Sequence, residues 1–359
     1  MKKLSEFSIG SKLVGGICIL LALSCGGMAV LSYRAASASL HKSVEESLPA
    51  VAKEAAKYIS LRLDYYRLGI ESIANRNVIR NMDWEIQQKA LTEETKRVGY
   101  LGMGVVTPDG HAKYPDGTDA QLGDRPYVKE ALAGRTAISD VIISRVTQSP
   151  VLMLAAPIRN DSRDIVGALI ARLDGTALSE ITDNIKYGDR GYSYMIDGKG
   201  TLIAHANREY VLTSRNFLEE GKTNEQFRLL SGTMQRMVKR ETGFDQYRFM
   251  NLDRFFGFAP IPNSDWSIAV GAIKEDVFAD VYRMKHLFWI FSSVFMTLGI
   301  VLAVFFGRGI SRPIISAVNQ LDWVATRGDI SKDVPQADLQ RGDEIGKLGQ
   351  TFNTMADSL

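Results

Sequence analysis

The sequence has very little cysteine. Two occur, Cys18 and Cys25, and both lie in an uncharged run near the N-terminus, so residues 34–285 have none. That region cannot rest on a disulfide framework. It suits a reducing or a disulfide-independent compartment equally, so location has to come from topology. Histidine is scarce as well: His41, His111, His205 and His286 are scattered, with no cysteine partner and no HxxxH spacing. The clustered ligands of a zinc site are missing, and neither a metal nor a cofactor is expected. Charge of one sign is not in excess. The formal net charge is +2, which supplies no bulk attraction to nucleic acid. The sequence shows no Gly-rich phosphate loop, no well-placed Ser/His/Asp set and no kinase signature. The chemistry expected is therefore binding and conformational coupling rather than catalysis.

What the sequence does have is two long apolar runs. His286 to Gly307 contains no Asp, Glu, Lys or Arg and is bounded by Lys285 and Arg308. As a helix rising about 1.5 Å per residue it is long enough to cross a hydrocarbon core of about 30 Å. Phe288 and Trp289 stand near one end, where interface aromatics belong. Leu13 to Tyr33, between Lys12 and Arg34, is the second such run. It continues through Met28, Val30 and Leu31, beyond the short apolar region of a cleaved signal, and is expected to stay as an anchor. Lys2, Lys3 and Lys12 precede the first run, and Arg308 and Arg312 follow the second. Positive-inside bias then puts both ends in the cytoplasm and residues 34–285 outside it. For a bacterial cell this predicts a two-pass protein of the inner (cell) membrane with a periplasmic or extracellular domain.

That domain opens with a helical pattern. Leu40, Val44, Leu48, Val51, Ala55, Ile59, Leu63, Tyr66, Ile70 and Ile73 recur at spacings of three and four, one face of a long helix. Pro49 inside it is expected to kink it. The reading is a stalk that leaves the membrane, pairs with a second copy and buries its far half against a sheet. From Tyr100 the period changes to that of strands: Leu101–Thr107, a turn at Pro108-Asp109-Gly110, and a short strand at His111–Tyr114. Asp124-Arg125-Pro126 opens a helix that Asp124 can cap and Gly134 can end. Strand-like runs follow at Ala137–Ser144, Val151–Ile158 and Ile165–Leu173. After a linker helix at Leu178–Tyr187 come a hairpin at Tyr192–Ile196 and Leu202–Ala206, then Gly243–Met250, Arg254–Pro260 and Trp266–Ile273.

The two sets of strands echo each other. Val106-Thr107-Pro108-Asp109-Gly110 is matched by Tyr194-Met195-Ile196-Asp197-Gly198, Ala156-Pro157-Ile158 by Ala259-Pro260-Ile261, and Val166-Gly167-Ala168-Leu169-Ile170 by Val270-Gly271-Ala272-Ile273. Three echoes in one order point to a duplication. The expected fold is α+β: two curved antiparallel sheets flanked by helices.

The stalk helix, the two sheets, Asp124-Arg125-Pro126-Tyr127 and Ala155-Ala156-Pro157-Ile158 together resemble the double Cache sensors of bacterial chemoreceptors and sensor kinases. The resemblance covers roughly Leu40 to Val281. It implies two PAS-like modules on one long helix, a distal one at about 75–178 and a proximal one at about 188–281, with a small-molecule ligand in the distal module. Arg125 and Tyr127 match the arginine and first aromatic of the family's Arg-x-Trp-Tyr pocket pattern. An arginine there clamps a carboxylate through two parallel hydrogen bonds, and a tyrosine hydroxyl adds a third. The second aromatic is replaced by Val128. The aspartate that holds the ligand ammonium in amino-acid-sensing members corresponds to Arg172, and a cation there repels an ammonium. A small carboxylate is therefore the expected ligand. Tyr114, Asp140 and Ser144 are weaker candidates, because the strand register is open. Tyr192, Tyr194, Asp197 and His205 resemble recurrent hairpin positions and are read as structural.

After the second apolar run, Ile314, Val318, Leu321 and Ala325 are spaced as a heptad seam. Gly328-Asp329 ends that helix, and a connector with Ile330 and Val334-Pro335 follows. Ile345, Leu348, Phe352, Met355 and Leu359 form a second seam. Two short seams of this kind cannot be buried by one chain, so a parallel homodimer with a four-helix bundle is expected. Pro313 and Asp343-Glu344-Ile345-Gly346 match the two signatures of a HAMP domain, and Pro313, Asp343 and Glu344 are the expected signal-relay residues. The predicted organisation is residues 1–12 cytoplasmic, 13–33 and 286–307 spanning, 34–285 sensory and 308–359 HAMP. The resemblance implies a methyl-accepting chemotaxis receptor, dimeric in the bilayer, with a chemotaxis kinase and adaptor engaged through a region C-terminal to Leu359. A histidine kinase or diguanylate cyclase with the same front end is the rival, and an adhesion or structural membrane protein a third class.

Overall fold

The longest element is the first helix, α1 (Ile9–Ala74). The structure is a computed structural model that describes residues 9–327 and 340–357. Two compact units are distinguished, Leu40–Ala279 and the segments Met1–Ser39 with Asp280–Leu359.

Within Leu40–Ala279, the far part of α1 buries Val44, Leu48, Ala55, Ile59, Leu63, Ile70 and Ile73, as their spacing predicts. Pro49 lies inside the helix, which runs on to Ala74. Then come α2 (Asn77–Arg80) and α3 (Trp84–Val98). The expectations above did not include α3, although its signals are plain. The Asp83 carboxylate accepts from the N–H groups of Glu85 and Ile86, and Gly99 closes the helix at φ 78°.

The first sheet comprises β1 (Gly102–Val106), β2 (His111–Lys113), β3 (Asp119–Gln121), β4 (Ala137–Ile143), β5 (Pro150–Arg159) and β6 (Ile165–Asp174) in the order β3-β2-β1-β6-β5-β4. Helix α4 (Pro126–Leu132) precedes β4 and stops before Gly134, whose φ is 93°. Alternation sorts β6 cleanly. Leu169, Ala171 and Leu173 join the core with α1, whereas Ala168 and Ile170 join Tyr127, Val128 and Ala131 of α4 on the opposite face.

After α5 (Ala177–Thr182), shorter than the linker helix expected, the second sheet comprises β7 (Tyr192–Ile196), β8 (Leu202–Ala204), β9 (Gly243–Phe249), β10 (Leu252–Pro260) and β11 (Ser267–Ile273) in the order β8-β7-β11-β10-β9. The helices α6 (Arg208–Leu212), α7 (Phe217–Glu220) and α8 (Arg228–Val238) between β8 and β9 were not foreseen. Leu230, Met234 and Met237 of α8 cover one face of this sheet, against Tyr194, Phe256 and Phe258. Its other face, with Met195, Ala259, Ile268 and Val270, belongs to the same core as α1 and the first sheet.

The duplication is visible in the order of the strands, and the pairing fixes its register. In the first sheet Ala168 lies opposite Val106 and Pro157; in the second, Ser267 lies opposite Ile196 and Pro260. The Pro157 and Pro260 echo is thus in register. The other two echoes are not. Thr107 and Gly110 occupy the turn positions of Asp197 and Gly200, by the same turn hydrogen bonds and φ values of 87° and 86°, so the like-lettered Asp-Gly pairs sit at different places. Gly271 corresponds to Arg172 rather than to Gly167, since both lie four residues beyond the common row.

After α9 (Lys274–Val277), α10 (Ala279–Arg327) of the second unit runs through Pro313, and α11 (Glu344–Asp357) follows. Helices α1 and α10 each contain a stretch long and apolar enough to cross a membrane. On those stretches Leu20, Leu23, Leu31, Trp289 and Phe305 are exposed. The Asp343 carboxylate accepts from the Gly346 N–H and pairs with Arg341, which holds its pKa at about 2. The connector at Gly328-Asp329, Ile330 and Val334-Pro335 lies outside the described residues. So do Lys2, Lys3, Leu359 and the side chains of Leu321, Ala325 and Phe352.

Helix α1 meets the second sheet at backbone distance. A Cβ on Gly257 of β10 would stand 2.1 Å from the carbonyl carbon of Leu48 and 2.5 Å from the Pro49 nitrogen. Neither is a flexible side-chain end, so the clash cannot be relieved locally. Gly257→Ala is expected to cost about 1–3 kcal/mol, the usual range for overpacking. Urea denaturation followed by circular dichroism checks this.

Candidate functional site

The site follows from which face of the first sheet each candidate occupies. Helix α4 starts at Pro126 with Arg125 as its N-cap residue, and the Arg125 side chain makes no cap. Asp124, the expected cap, instead forms a bidentate pair with Arg145 at 2.6 and 2.5 Å. Arg125 is left without a carboxylate. Its Nη2 donates to the Ile143 carbonyl at 3.2 Å, and its Nε is buried with no hydrogen-bond partner. Tyr127, on the first turn of α4, is buried against the sheet, and burial raises its hydroxyl pKa to about 12.

Arg125 and Tyr127 line a cleft of about 280 Å³ along the free edge of β4. Leu63 and Arg67 of α1 contribute to it, as do Asp140 and the segment Asn263 to Trp266 that leads into β11. The cleft is therefore shared by both sheets and the stalk helix. Asp140 lies in a bulge of β4 between Ile138 and Val141 and lines the cleft there. The Trp266 indole N–H donates to its carboxylate at 2.8 Å. Burial raises the Asp140 pKa, and the Asp197 and Asp265 charges add to this while the indole opposes it.

Tyr114 and Arg172 are brought together at a second place. Arg172 is only 4% exposed and lies with its guanidinium carbon 4.9 Å from the centre of the Tyr114 ring. No ion pair to Arg172 is found among the described residues, and its Nε is buried without a partner. Tyr114 fits because Gly104 has no side chain: a Cβ there would come within 2.9 Å of the ring. These two residues line a cleft of about 260 Å³ with Lys96, Asp116 and the end of α3. Hydrogen bonds from the Thr118 hydroxyl and N–H lower the Asp116 pKa, and the Arg172 charge adds to this.

The candidates thus divide. Arg125, Tyr127 and Asp140 share one cleft, and Tyr114 and Arg172 share another. Ser144 lines neither. It is buried and its hydroxyl accepts from the Val146 and Thr147 N–H groups, closing the β4–β5 turn. Sequence reasoning missed Arg67, Asp265 and Trp266, because their part in the cleft comes only from docking the second sheet beside the first. In the second sheet, Asp197 accepts from the Lys199 and Thr201 N–H groups, and His205 accepts from the Asn207 N–H through Nδ1. Burial lowers the His205 pKa to about 4. Both residues carry the turn and strand chemistry expected of them.

Residues 35–281 match the family model of the Cache domain. The chain belongs to the Cache-domain family. Residues 305–359 match the HAMP domain. Among curated relatives, methyl-accepting chemotaxis protein McpA of Bacillus subtilis is 22% identical over 238 residues, covering 66% of this chain and 32% of its own length. Methyl-accepting chemotaxis protein PctB of Pseudomonas aeruginosa is 21% identical over 333 residues, covering 90% of this chain and 50% of its own length. The chain thus spans half or less of the length of these relatives. The solved ligand-binding domain of PctB in complex with L-Arg superposes with a TM-score of 0.53 at 19% identity, over 66% of this chain and 98% of that one. That of the Pseudomonas fluorescens chemoreceptor CtaA in complex with L-leucine gives 0.51 at 17%, over 67% and 99%. These likenesses agree in fold with the two-sheet Cache architecture.

The raised Asp140 pKa has a direct consequence. A carboxyl whose folded pKa lies above its unfolded value binds more protons in the native state. Its contribution to stability is present at low pH and falls as pH rises through the window between the two values. Asn keeps an oxygen acceptor for the Trp266 indole without a charge. Asp140→Asn should therefore raise Tm at pH 7, with the gain shrinking toward pH 4. Thermal unfolding of both proteins across that range tests it, and a gain that grew at low pH would contradict the assignment.

Proposed function

We propose that the chain is the sensory part of a two-pass membrane chemoreceptor whose Cache domain, outside the cytoplasm, binds a small carboxylate. The observation that carries this is the Arg125 side chain. It lines a cleft, has a buried Nε without a partner, and meets no carboxylate because Asp124 is taken by Arg145. A guanidinium so placed is ready for a ligand carboxylate, and the adjacent Tyr127 hydroxyl completes the clamp. Asp140 and Asp265 across the same cleft can receive a cationic group. The amino acids bound by PctB and CtaA in their solved complexes support a ligand of that size. Arg172 disfavours an ammonium in the other cleft and would take an anionic group there.

Signal output follows from the parts already described. The exposed apolar stretches of α1 and α10 cross the bilayer, with the Lys12 and Arg308 ends in the cytoplasm. Ligand binding biases the position of α10 and thereby the packing of the HAMP helices, where Pro313, Asp343 and Glu344 act as relay residues. A chemotaxis kinase and adaptor, reached through a further C-terminal region, receive the signal; the relatives' names support this output.

Arg125→Ala should abolish the thermal stabilisation given by whichever member of a panel of small carboxylates and amino acids stabilises the native chain, while the far-ultraviolet circular dichroism stays unchanged. An unaltered shift would remove Arg125 from the pocket. The proposed dimer has a candidate seam on α1, where Tyr58, Leu61, Tyr65 and Leu68 are spaced three, four and three apart. They are 49%, 68%, 66% and 66% exposed. Replacing Leu61 and Leu68 together with Glu should convert crosslinked dimer to monomer in membranes, and retention of the dimer would place the interface elsewhere.

A further inference from the structure

The stretches of α1 and α10 proposed to lie in the bilayer leave an apolar groove of about 450 Å³ between them. Its floor is opened by small residues, Ala22, Gly26 and Ala29 of α1, and its opposite wall is Trp289 and Met296 of α10. In hydrocarbon such a groove has to be filled, since packing is what holds membrane helices together. The end of the groove identifies the filler. Arg34 and Lys285 both line it there, beside Tyr33 and Phe288. Neither has a carboxylate in ion-pair reach among the described residues; the nearby acids Glu46 and Asp280 pair with Lys42 and Arg283. An apolar slot that ends at two uncompensated cations, flanked by aromatics at headgroup depth, is complementary to a lipid with an anionic headgroup.

We infer that this groove is a binding site for an anionic phospholipid: an acyl chain lies against Ala22, Gly26, Ala29 and Trp289, and the phosphodiester meets Arg34 and Lys285. The inference rests on the membrane-spanning reading of α1 and α10 proposed above. A bound lipid of this kind joins the two spans of one subunit at their outer end. The lipid composition of the bilayer would then set how freely α10 moves relative to α1.

Trp289 reports on the site. The full chain is reconstituted in phosphatidylcholine vesicles that contain the same small mole fraction of either dibrominated phosphatidylglycerol or dibrominated phosphatidylcholine. A Trp289→Phe protein supplies the background from the other tryptophans. The wild-type protein should be quenched more by the brominated phosphatidylglycerol. Replacing Arg34 and Lys285 by Gln should each lower the preference about fivefold, the effect of one basic side chain at a membrane surface, and the double variant should be quenched equally by both lipids. Equal quenching of the wild type would overturn the site, as would a preference that survives in the double variant. A disulfide between copies through Cys25 in a Cys18→Ser background, together with no lipid preference, would show that a second copy's helix fills the groove instead. Quenching of Trp289 by neither lipid would place it outside the bilayer, and the membrane reading would fail along with the site.

Discussion

The structure between Leu40 and Ala279 depends on one helix face serving two sheets. Ala52, Ala56, Ile59, Leu63, Ile70 and Ile73 of α1 share a single core with Leu152, Leu154 and Leu169 of the first sheet and with Ile268 and Val270 of the second. Each large aliphatic side chain fully buried there is worth about 1.5–3 kcal/mol. Neither sheet can leave the helix without exposing surface that the other also covers. The backbone contact of Gly257 with Leu48 and Pro49 sets the spacing at the second sheet. Polar ties repeat the pattern along α1: the Ser60 hydroxyl donates to the Pro262 carbonyl, and Arg67 donates to the Asn263 carbonyl. The cleft with Arg125 exists because both sheets are held against the same stretch of α1.

Charge placement separates structural arginines from candidate ones. Arg145 pairs with Asp124, Arg215 with Glu220, Arg236 with Glu241 and Asp245, and Arg76 with Glu94. Such pairs explain themselves, and the exposed ones contribute little. A buried guanidinium without a counter-charge is costly, so its survival asks for a reason. Arg254 shows that an aromatic surface can supply one: it lies 5.0 Å from the Tyr192 ring and 5.6 Å from the Phe249 ring, with a buried Nε lacking a partner. Arg172 has the same kind of rest on Tyr114 and also borders a cleft. Arg125 is half-buried with a buried, unpartnered Nε, makes no ring contact among the described residues, and lines a cleft. The ranking of Arg125 first thus comes from what its guanidinium lacks on the protein side.

Much of this architecture was legible from the residues. The spacing of Leu48, Ile59, Leu63 and Ile70 marked the buried face of α1, because helical periodicity is set by side-chain direction alone. Apart from β3 (Asp119–Gln121), which was not foreseen, the strands from Gly102 to Ile273 were placed to within a few residues, because turns at Asp109-Gly110 and Asp197-Gly198 punctuate them. Register was not legible. Two of the three echoes matched letters at non-equivalent positions, since Gly and Asp satisfy several turn positions and only the hydrogen-bonded rows decide which. Helices α6 and α7 were missed because they are short and Asn-capped, with apolar residues too few in each turn for a period to show, whereas α8 was missed although Leu230, Met234 and Met237 recur at spacings of four and three. For the site, Arg125 and Tyr127 were readable as a motif. The facing of Asp140 was not readable, because it stands in a bulge of β4 where its carboxylate accepts from the Trp266 indole. A bulge adds one residue without a sequence mark that distinguishes it from a regular strand.

That bulge also connects the two halves of the candidate site. Arg172 pairs across the strands with Met153. The Met153 N–H donates to the Ser139 hydroxyl at 3.0 Å, and that hydroxyl donates to the Asp140 carbonyl at 2.6 Å. Asp140 in turn holds the Trp266 indole at the entrance to β11. On the chemoreceptor reading, a ligand that draws Arg125 or Arg172 toward its charge acts on a strand edge already bonded to the second sheet, and β11 is the last strand before α10 in the chain. A close-packed core changes by switching between discrete arrangements rather than by yielding gradually. A hydrogen-bonded bulge at the junction of two sheets is a place where two such arrangements can differ by a few bonds. The free energy a small carboxylate provides is modest, so the states it selects between must lie close in energy. The exposed position of β4 at the sheet edge keeps that difference small, because only one side of the strand is bound into the ladder.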